Sequence, residues 1–264
     1  RISNSTISGA AGQDTFLIST LSNALLHGGA DVDSLVVTGS LLGATIDFGA
    51  GNENFTLSVG ASNASIAGGA GNDTFVVTAS NLQTASTLVG GAGNDSVSFG
   101  GDLSGGYVFG GSGNDTLNFT AGVNNNANVS GDAGSDLLLF TSTLSSAGVY
   151  GGSGADSMVF KAALSNSTID FGADQDTFTL TKAATSTTIL GGAGADTLVF
   201  STGANLVTSS VSGGADGDSL VFSVAVQSNS SIAGGGGNDT MVFNSSVSGA
   251  AISLDAGADS VTFV

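Results

Sequence analysis

The 264-residue chain holds 43 Gly, no Pro, no Cys and 41% hydrophobic residues, and its 21 acidic residues face only Arg1, Lys161 and Lys182, a formal charge of -18. The lack of Cys excludes disulfides and thiolate metal sites, and the charge makes nucleic acid and anionic membrane surfaces poor partners. No apolar run approaches the length of a membrane-spanning helix, so no membrane insertion is expected.

The first predicted element is an apolar stretch around Ile7, closed by the turn Gly9-Ala10-Ala11-Gly12-Gln13-Asp14 and resumed by Phe16 and Ile18. The same phrase then closes at Asp33, Glu53, Asp73, Asp95, Asp115, Asp136, Asp156, Asp176, Asp196, Asp218, Asp239 and Asp259, at steps of 19 to 22 residues. Such a period marks a solenoid whose repeats bury their apolar faces on one another. Seven residues before each acidic anchor stands an aliphatic residue, from Ile7 and Leu26 to Ile232 and Ile252, and nine before it a small one. Two and four residues after the anchor the chain is again apolar, as in Phe75/Val77, Leu117/Phe119 and Met241/Phe243. Period two on both sides of the turn predicts two half-buried strands per repeat.

A further apolar residue about eight positions after the anchor, such as Leu41, Leu103, Val123, Leu144, Leu164 or Val247, predicts a third side. Length varies only on this far side, while the glycine turn keeps its length and so reads as a constrained conformation. The expected fold is all-β: a right-handed parallel β-helix, or β-solenoid, of about 13 coils of roughly 20 residues, about 4.8 Å apart. It would run as one continuous array over 1–264. Thr45-Ile46-Asp47-Phe48-Gly49-Ala50 recurs as Thr168-Ile169-Asp170-Phe171-Gly172-Ala173, so a six-repeat cassette relates about 41–140 to 164–263. Starting without Met and within a repeat, the chain reads as a fragment or processed part of a longer protein.

Stacked coils set the anchors in one row along one edge. Neighbouring carboxylates about 5 Å apart repel by roughly 0.8 kcal/mol in bulk water, so twelve contacts cost about 10 kcal/mol, comparable with the stability of a whole domain. Three basic residues cannot neutralise the row, which points to bound cations. Carboxylates with turn carbonyls make an all-oxygen site that suits Ca²⁺ better than Zn²⁺, and glycine lets the backbone take the positive φ that turns carbonyls inward. The alternative, a metal-free array of stacked turns, leaves the charge unbalanced.

Six copies, anchored by Asp73, Asp95, Asp115, Asp156, Asp196 and Asp239, match Gly-Gly-x-Gly-x-Asp-x-apolar-x throughout. They resemble the RTX or haemolysin-type calcium-binding repeats. The resemblance implies Ca²⁺ between successive turns, held by carbonyls and by the anchor carboxylates: Asp14, Asp33, Asp73, Asp95, Asp115, Asp136, Asp156, Asp176, Asp196, Asp218, Asp239 and Asp259, with Glu53 a weaker ligand because it is one methylene longer. This chain departs from the family pattern in having one such turn per coil. Phe48 and Phe171 replace the first glycine, Asp132 and Asp255 the second, and Asp31, Asp174 and Asp216 the third. The last three are either further ligands or solvated substitutions. Filling every gap would overshoot neutrality, so incomplete occupancy is expected.

Catalysis lacks its players: His27 is alone, Cys is absent and the Ser residues have no neighbouring base, so the chain is not expected to be an enzyme. Outward valines, including Val36, Val76, Val159, Val199, Val221 and Val242, form an apolar stripe of the kind that marks lateral association. The many Asn-x-Ser/Thr sequons include some, such as Asn72-Asp73-Thr74, that are by-products of the repeat. Ice binding is disfavoured, because alanines occupy turn positions where outward Thr would be needed. The expected function is an extracellular structural protein of a bacterial surface layer, sheath or filament at the cell surface. It would self-associate, resembling repetitive calcium-binding surface proteins including the oscillin-like ones. The alternative is the calcium-folding repeat region of a secreted RTX toxin, hydrolase or adhesin.

Overall fold

The computed structural model describes residues 1–78, 82–83, 85–201, 203 and 205–264. The described residues hold strands and turns and no helix, and hence no helix long and apolar enough to cross a membrane. A typical repeat contributes a short strand, Ala61–Ser62, a longer one, Ser65–Ala70, and, past the glycine turn, Thr74–Val77. The second and third are the two strands expected from the alternation on either side of the anchor. The first is the third side, set by the apolar residue on the far side of the coil.

The chain divides into two compact units, Arg1–Ala133 and Gly134–Val264. Within each unit the strands pair in parallel with their counterparts in neighbouring repeats, one before and one after except at the ends of the sheets. In the first unit Ile66 pairs with Ile46 and Leu88, and Phe75 with Phe55 and Val97. In the second, Ile169 pairs with Val149 and Ile189, Phe178 with Met158 and Leu198, and Leu164 with Leu144 and Ala184. Three parallel sheets wound in this way make a β-solenoid of about 13 turns. The register follows from the sequence period, since a slip by one residue would turn each apolar set outward.

The coil interior is filled by the predicted ranks. The aliphatic residues seven before the anchor are buried from Leu26 to Ile232, and so are the residues two and four after it. Parallel in-register pairing puts like residues one strand spacing apart, so phenylalanines stack along the second unit: Phe140 on Phe160 at 4.8 Å, Phe200 on Phe222 at 4.7 Å, Phe222 on Phe243 at 4.8 Å. The rank nine before the anchor is small because it turns inward at a corner. Where it holds Ser, as at Ser86 and Ser209, the hydroxyl accepts the amide of the same position one turn back, Ala64 or Thr187.

A corner position ten before the anchor, not singled out in the sequence, takes the left-handed conformation. Asn4, Asn23, Asn63, Asn166 and Asn229 lie there with φ of 49 to 61°. Asn and Gly recur at this position because they enter that region at least cost. The outward valines are half-buried on the face of the third sheet, interrupted by Thr56 and Ser98 in the first unit and Thr179 in the second.

Candidate metal centre

The anchor residue closes the glycine turn and opens the third strand, and that backbone direction aims its side chain into the coil. The row therefore does not lie on an open edge, as the sequence suggested. Eleven of the thirteen anchors are buried to 2% exposure or less, from Asp33 and Glu53 to Asp239, and the flanking Asp14 and Asp259 are half-buried. Burial makes an uncompensated row far costlier than repulsion in water.

Apart from the first anchor, Asp14, and Glu53, half of the carboxylate has a structural partner. One oxygen accepts the backbone N–H of the anchor one turn earlier: Asp73 N–H to Asp95 Oδ1 at 2.7 Å, Asp156 N–H to Asp176 Oδ1 at 2.6 Å, Asp218 N–H to Asp239 Oδ1 at 2.8 Å, and likewise elsewhere within each unit. The ladder satisfies an amide that the turn would otherwise leave buried and unpaired. The second oxygen is different. Oδ2 of Asp14, Asp33, Asp73, Asp95, Asp156, Asp176, Asp196, Asp218 and Asp239 is buried without a hydrogen-bond partner, and so are both oxygens of Glu53.

Except at Glu53 and Asp176, whose turns open on Phe, the second oxygen points at the first glycine of its own turn. A Cβ built on Gly9, Gly28, Gly68, Gly90, Gly110, Gly151, Gly191, Gly213 or Gly234 would lie under 3.0 Å from that turn's anchor Oδ2 and from the carbonyl oxygen of the residue five before the next anchor. Carboxylate and carbonyl thus converge on the space that the missing side chain leaves. That is nine glycine cradles among the described residues, each lined by oxygens from two turns. No three or more His, Cys, Asp or Glu side chains cluster among the described residues, so the donor set is one carboxylate per turn with main-chain carbonyls. Such hard, flexible oxygen donors suit Ca²⁺.

Where the first glycine is replaced, the cradle closes. Phe48 and Phe171 are fully buried, with their rings against Phe55 and Phe178, and they fill the corresponding space beside Glu53 and Asp176. Their carbonyls still serve the preceding cradles at Gly28 and Gly151. This gives incomplete occupancy a steric reason. Asp31, Asp174 and Asp216 lie on the outer side of the turn with positive φ, and all three are exposed. Asp31 and Asp174 accept the N–H of Gly12 and Gly154 one turn earlier, at 3.2 and 3.0 Å, which suits clips between turns better than inward ligands. Outer asparagines repeat this device, Asn94 N–H donating to Asn72 Oδ1 and Asn114 N–H to Asn94 Oδ1 at 2.7 and 2.8 Å.

The electrostatics express the missing counter-charge. Burial, followed by the charges of neighbouring anchors, pushes Asp156, Asp176 and Asp218 up to about 7. Asp95 and Asp196 rise to about 6, and Glu53, desolvated beside Asp73, to about 8. A carboxylate raised by desolvation is one for which a bound cation has the most to offer. His27 Nδ1 lies 3.5 Å from Asp47 on the outer face, both about half exposed, and takes no part in this row.

The RTX calcium-binding nonapeptide repeat model matches residues 56–79, 85–102, 107–125, 188–207 and 227–245. These segments contain Asp73, Asp95, Asp115, Asp196 and Asp239, five of the six anchors whose turns follow the pattern throughout. None of the curated proteins matches the chain. Among solved structures, a hyperactive, Ca²⁺-dependent, β-helical antifreeze protein from an Antarctic bacterium aligns over 95% of this chain and 83% of its own, with a TM-score of 0.61 and 20% identity. That likeness is one of fold.

Proposed function

Taking this as an RTX-type calcium-binding repeat protein that binds several Ca²⁺ ions, we propose that it is an extracellular, non-enzymatic building block of a bacterial surface layer, sheath or filament. In this reading it folds through calcium held inside its coils. The ions would be held in the nine glycine cradles by Asp14, Asp33, Asp73, Asp95, Asp115, Asp156, Asp196, Asp218 and Asp239 with carbonyls of the following turn. Asp176 and Glu53, whose turns open on Phe171 and Phe48, and Asp259, whose turn opens on Leu254, complete the row, and Asp136, whose turn keeps its first glycine at Gly131, belongs to it too. When bound, Ca²⁺ supplies the counter-charge that lets buried carboxylates stay ionised.

The observation that carries this reading is where the charge sits. Thirteen acidic residues belong to the interior row, which leaves outside it only Asp31, Asp47, Asp102, Asp132, Asp170, Asp174, Asp216 and Asp255 against three basic residues. The unfolded chain is a polyanion that repels its copies. The calcium-folded one has a sparsely charged, hydroxyl-rich and valine-rich exterior, a surface that favours association. Folding and assembly are thereby tied to compartments rich in Ca²⁺. Circular dichroism and light scattering during Ca²⁺ titration of chelator-treated protein test this: β-structure and assembly should appear together. Assembly that persists in excess chelator rejects it.

A second reading is favoured by the third sheet's outer face. The ranks one and three residues past the anchors carry no charged residue, and the first is Thr or Ser except at Asn54 and Leu137. Antifreeze activity, which the structural neighbour is named for, would use this face. Thermal hysteresis measured with and without Ca²⁺ decides it, and a chain without hysteresis leaves only the first reading.

A further inference from the structure

The repeat explains most of the sequence's Asn-x-Ser/Thr sequons but not all. Those in the glycine turn, such as Asn72-Asp73-Thr74 and Asn94-Asp95-Ser96, have an Asn whose Oδ1 is tied to the next turn. Asn128-Val129-Ser130 has its hydroxyl buried against Asp132 at 2.5 Å. In Asn54-Phe55-Thr56 and Asn118-Phe119-Thr120 the Asn itself lies within a paired strand, Asn54–Leu57 or Thr116–Phe119, and in Asn244-Ser245-Ser246 the Asn Nδ2 donates to Ser223 Oγ at 3.3 Å. Four sequons instead share the left-handed corner ten residues before an anchor: Asn4-Ser5-Thr6, Asn63-Ala64-Ser65, Asn166-Ser167-Thr168 and Asn229-Ser230-Ser231.

We propose that Asn4, Asn63, Asn166 and Asn229 are N-glycosylation sites. All four are exposed, at φ of 49, 51, 49 and 61°. The hydroxyl two residues on stands outward at the start of the long strand, partly or fully exposed in each case. A glycan at this corner projects away from the interior carboxylate row, so modification and calcium folding do not compete. Spacing separates the two groups of sequons further. Asn4 and Asn63 are three turns apart within the first unit, and Asn166 and Asn229 three turns apart within the second, about 14 Å at the spacing of parallel strands. Asn72, Asn94 and Asn114 occupy consecutive turns about 4.8 Å apart, too close for a sugar on each.

In the transfer, the Asn Nδ2 forms a bond to the anomeric C1 of a glycan donor activated as a lipid-linked phosphate. The C1–O bond to phosphate breaks, the lipid phosphate leaves with the electron pair, and Nδ2 gives one proton to the transferase. The inference rests on export, because such donors are used on exported chains; it adds a modification to the proposed building block.

The test uses the chain isolated from its source after cell fractionation, digested with elastase and read by electron-transfer mass spectrometry of intact glycopeptides. Hexose- or hexosamine-bearing increments on peptides containing Asn4, Asn63, Asn166 and Asn229, with Asn72, Asn94, Asn114 and Asn238 unmodified, are expected. Surface-located chain without those increments overturns the inference and leaves the function standing, and so does equal modification of the turn sequons. Chain confined to the cytoplasm overturns the function itself.

Discussion

Asp156→Asn separates the two roles assigned to an anchor. The substitution keeps a side-chain carbonyl that can accept the Asp136 N–H, which donates to Asp156 Oδ1 at 2.8 Å, and it removes the charge aimed into the Gly151 cradle. Burial pushes Asp156 from 3.8 to about 7. At about 1.4 kcal/mol per pKa unit, keeping it ionised in the metal-free fold at pH 8 costs about 4 kcal/mol. In chelator at pH 8 the variant should therefore be more stable than the parent, by up to about 4 kcal/mol, or roughly 8–16 °C in melting temperature for a chain of this size. At pH 5, where Asp156 is protonated in the fold but still ionised in the unfolded chain, the advantage should shrink to about 1.6 kcal/mol, and it should vanish only below about pH 4. In Ca²⁺ the variant should gain less than the parent does, short by about 2.7 kcal/mol for each ion lost at a hundredfold excess over its Kd. Melting followed by circular dichroism in chelator and in Ca²⁺, at both pH values, gives the four numbers needed. A variant no more stable than the parent in chelator at pH 8, with an undiminished response to Ca²⁺, would refute the buried-carboxylate account.

The metal-free parent should lose stability as pH rises. With Asp95 and Asp196 near 6, Asp156, Asp176 and Asp218 near 7 and Glu53 near 8 in the fold, against 3.8 and 4.5 ordinarily, the folded chain holds more protons than the unfolded one between about pH 4 and 8. Stability then falls across that window, and Ca²⁺ should flatten the slope. Urea midpoints at pH 5 and 8 measure it, and a midpoint that rises with pH in chelator contradicts it. Gly191→Ala places a Cβ under 3.0 Å from Asp196 Oδ2 and Gly213 O. Isothermal titration should count one Ca²⁺ fewer than in the parent, and an unchanged count would mean the ions lie elsewhere.

The fold was legible because a solenoid writes its three-dimensional period into one dimension. The aliphatic rank from Ile7 to Ile252 and the pairs such as Phe75/Val77 named the faces of two strands, and Leu41, Leu103 and Leu164 located the short first strand of the repeat. The side chosen by the anchors was not legible. Asp at a turn reads as a solvent-facing residue by its type, and only the register of the following strand, with Thr74 outward and Phe75 inward, shows that Asp73 must turn in. A signal did exist in the glycine that opens most of the turns. Glycine at positions 68, 90 and 110 could have been read as space reserved inside, and Phe48 and Phe171 as its closure. The corner row from Asn4 to Asn229 escaped notice because Asn, Ser, Gly and Thr alternate there; what they share is a backbone conformation.

Placing the acids inside changes what the net charge means for partners. A charge of -18 spread over a surface would keep copies apart, and no layer would form without bridging cations at every contact. With the anchors interior, the same residues act before folding as a solubilising polyanion and afterwards as ligands, leaving an outer surface of eight acidic and three basic groups. In the proposed assembly, lateral packing would use the third sheet's face, where Val159, Val199, Val221 and Val242 alternate along their strands with hydroxyls and no like charges oppose each other. Calcium need not bridge subunits in such an assembly. It sets whether the subunits have a face to pack with, so chelation should dissolve the assembly by unfolding its members, whereas high salt, which screens surface contacts but cannot reach buried carboxylates, should leave it intact.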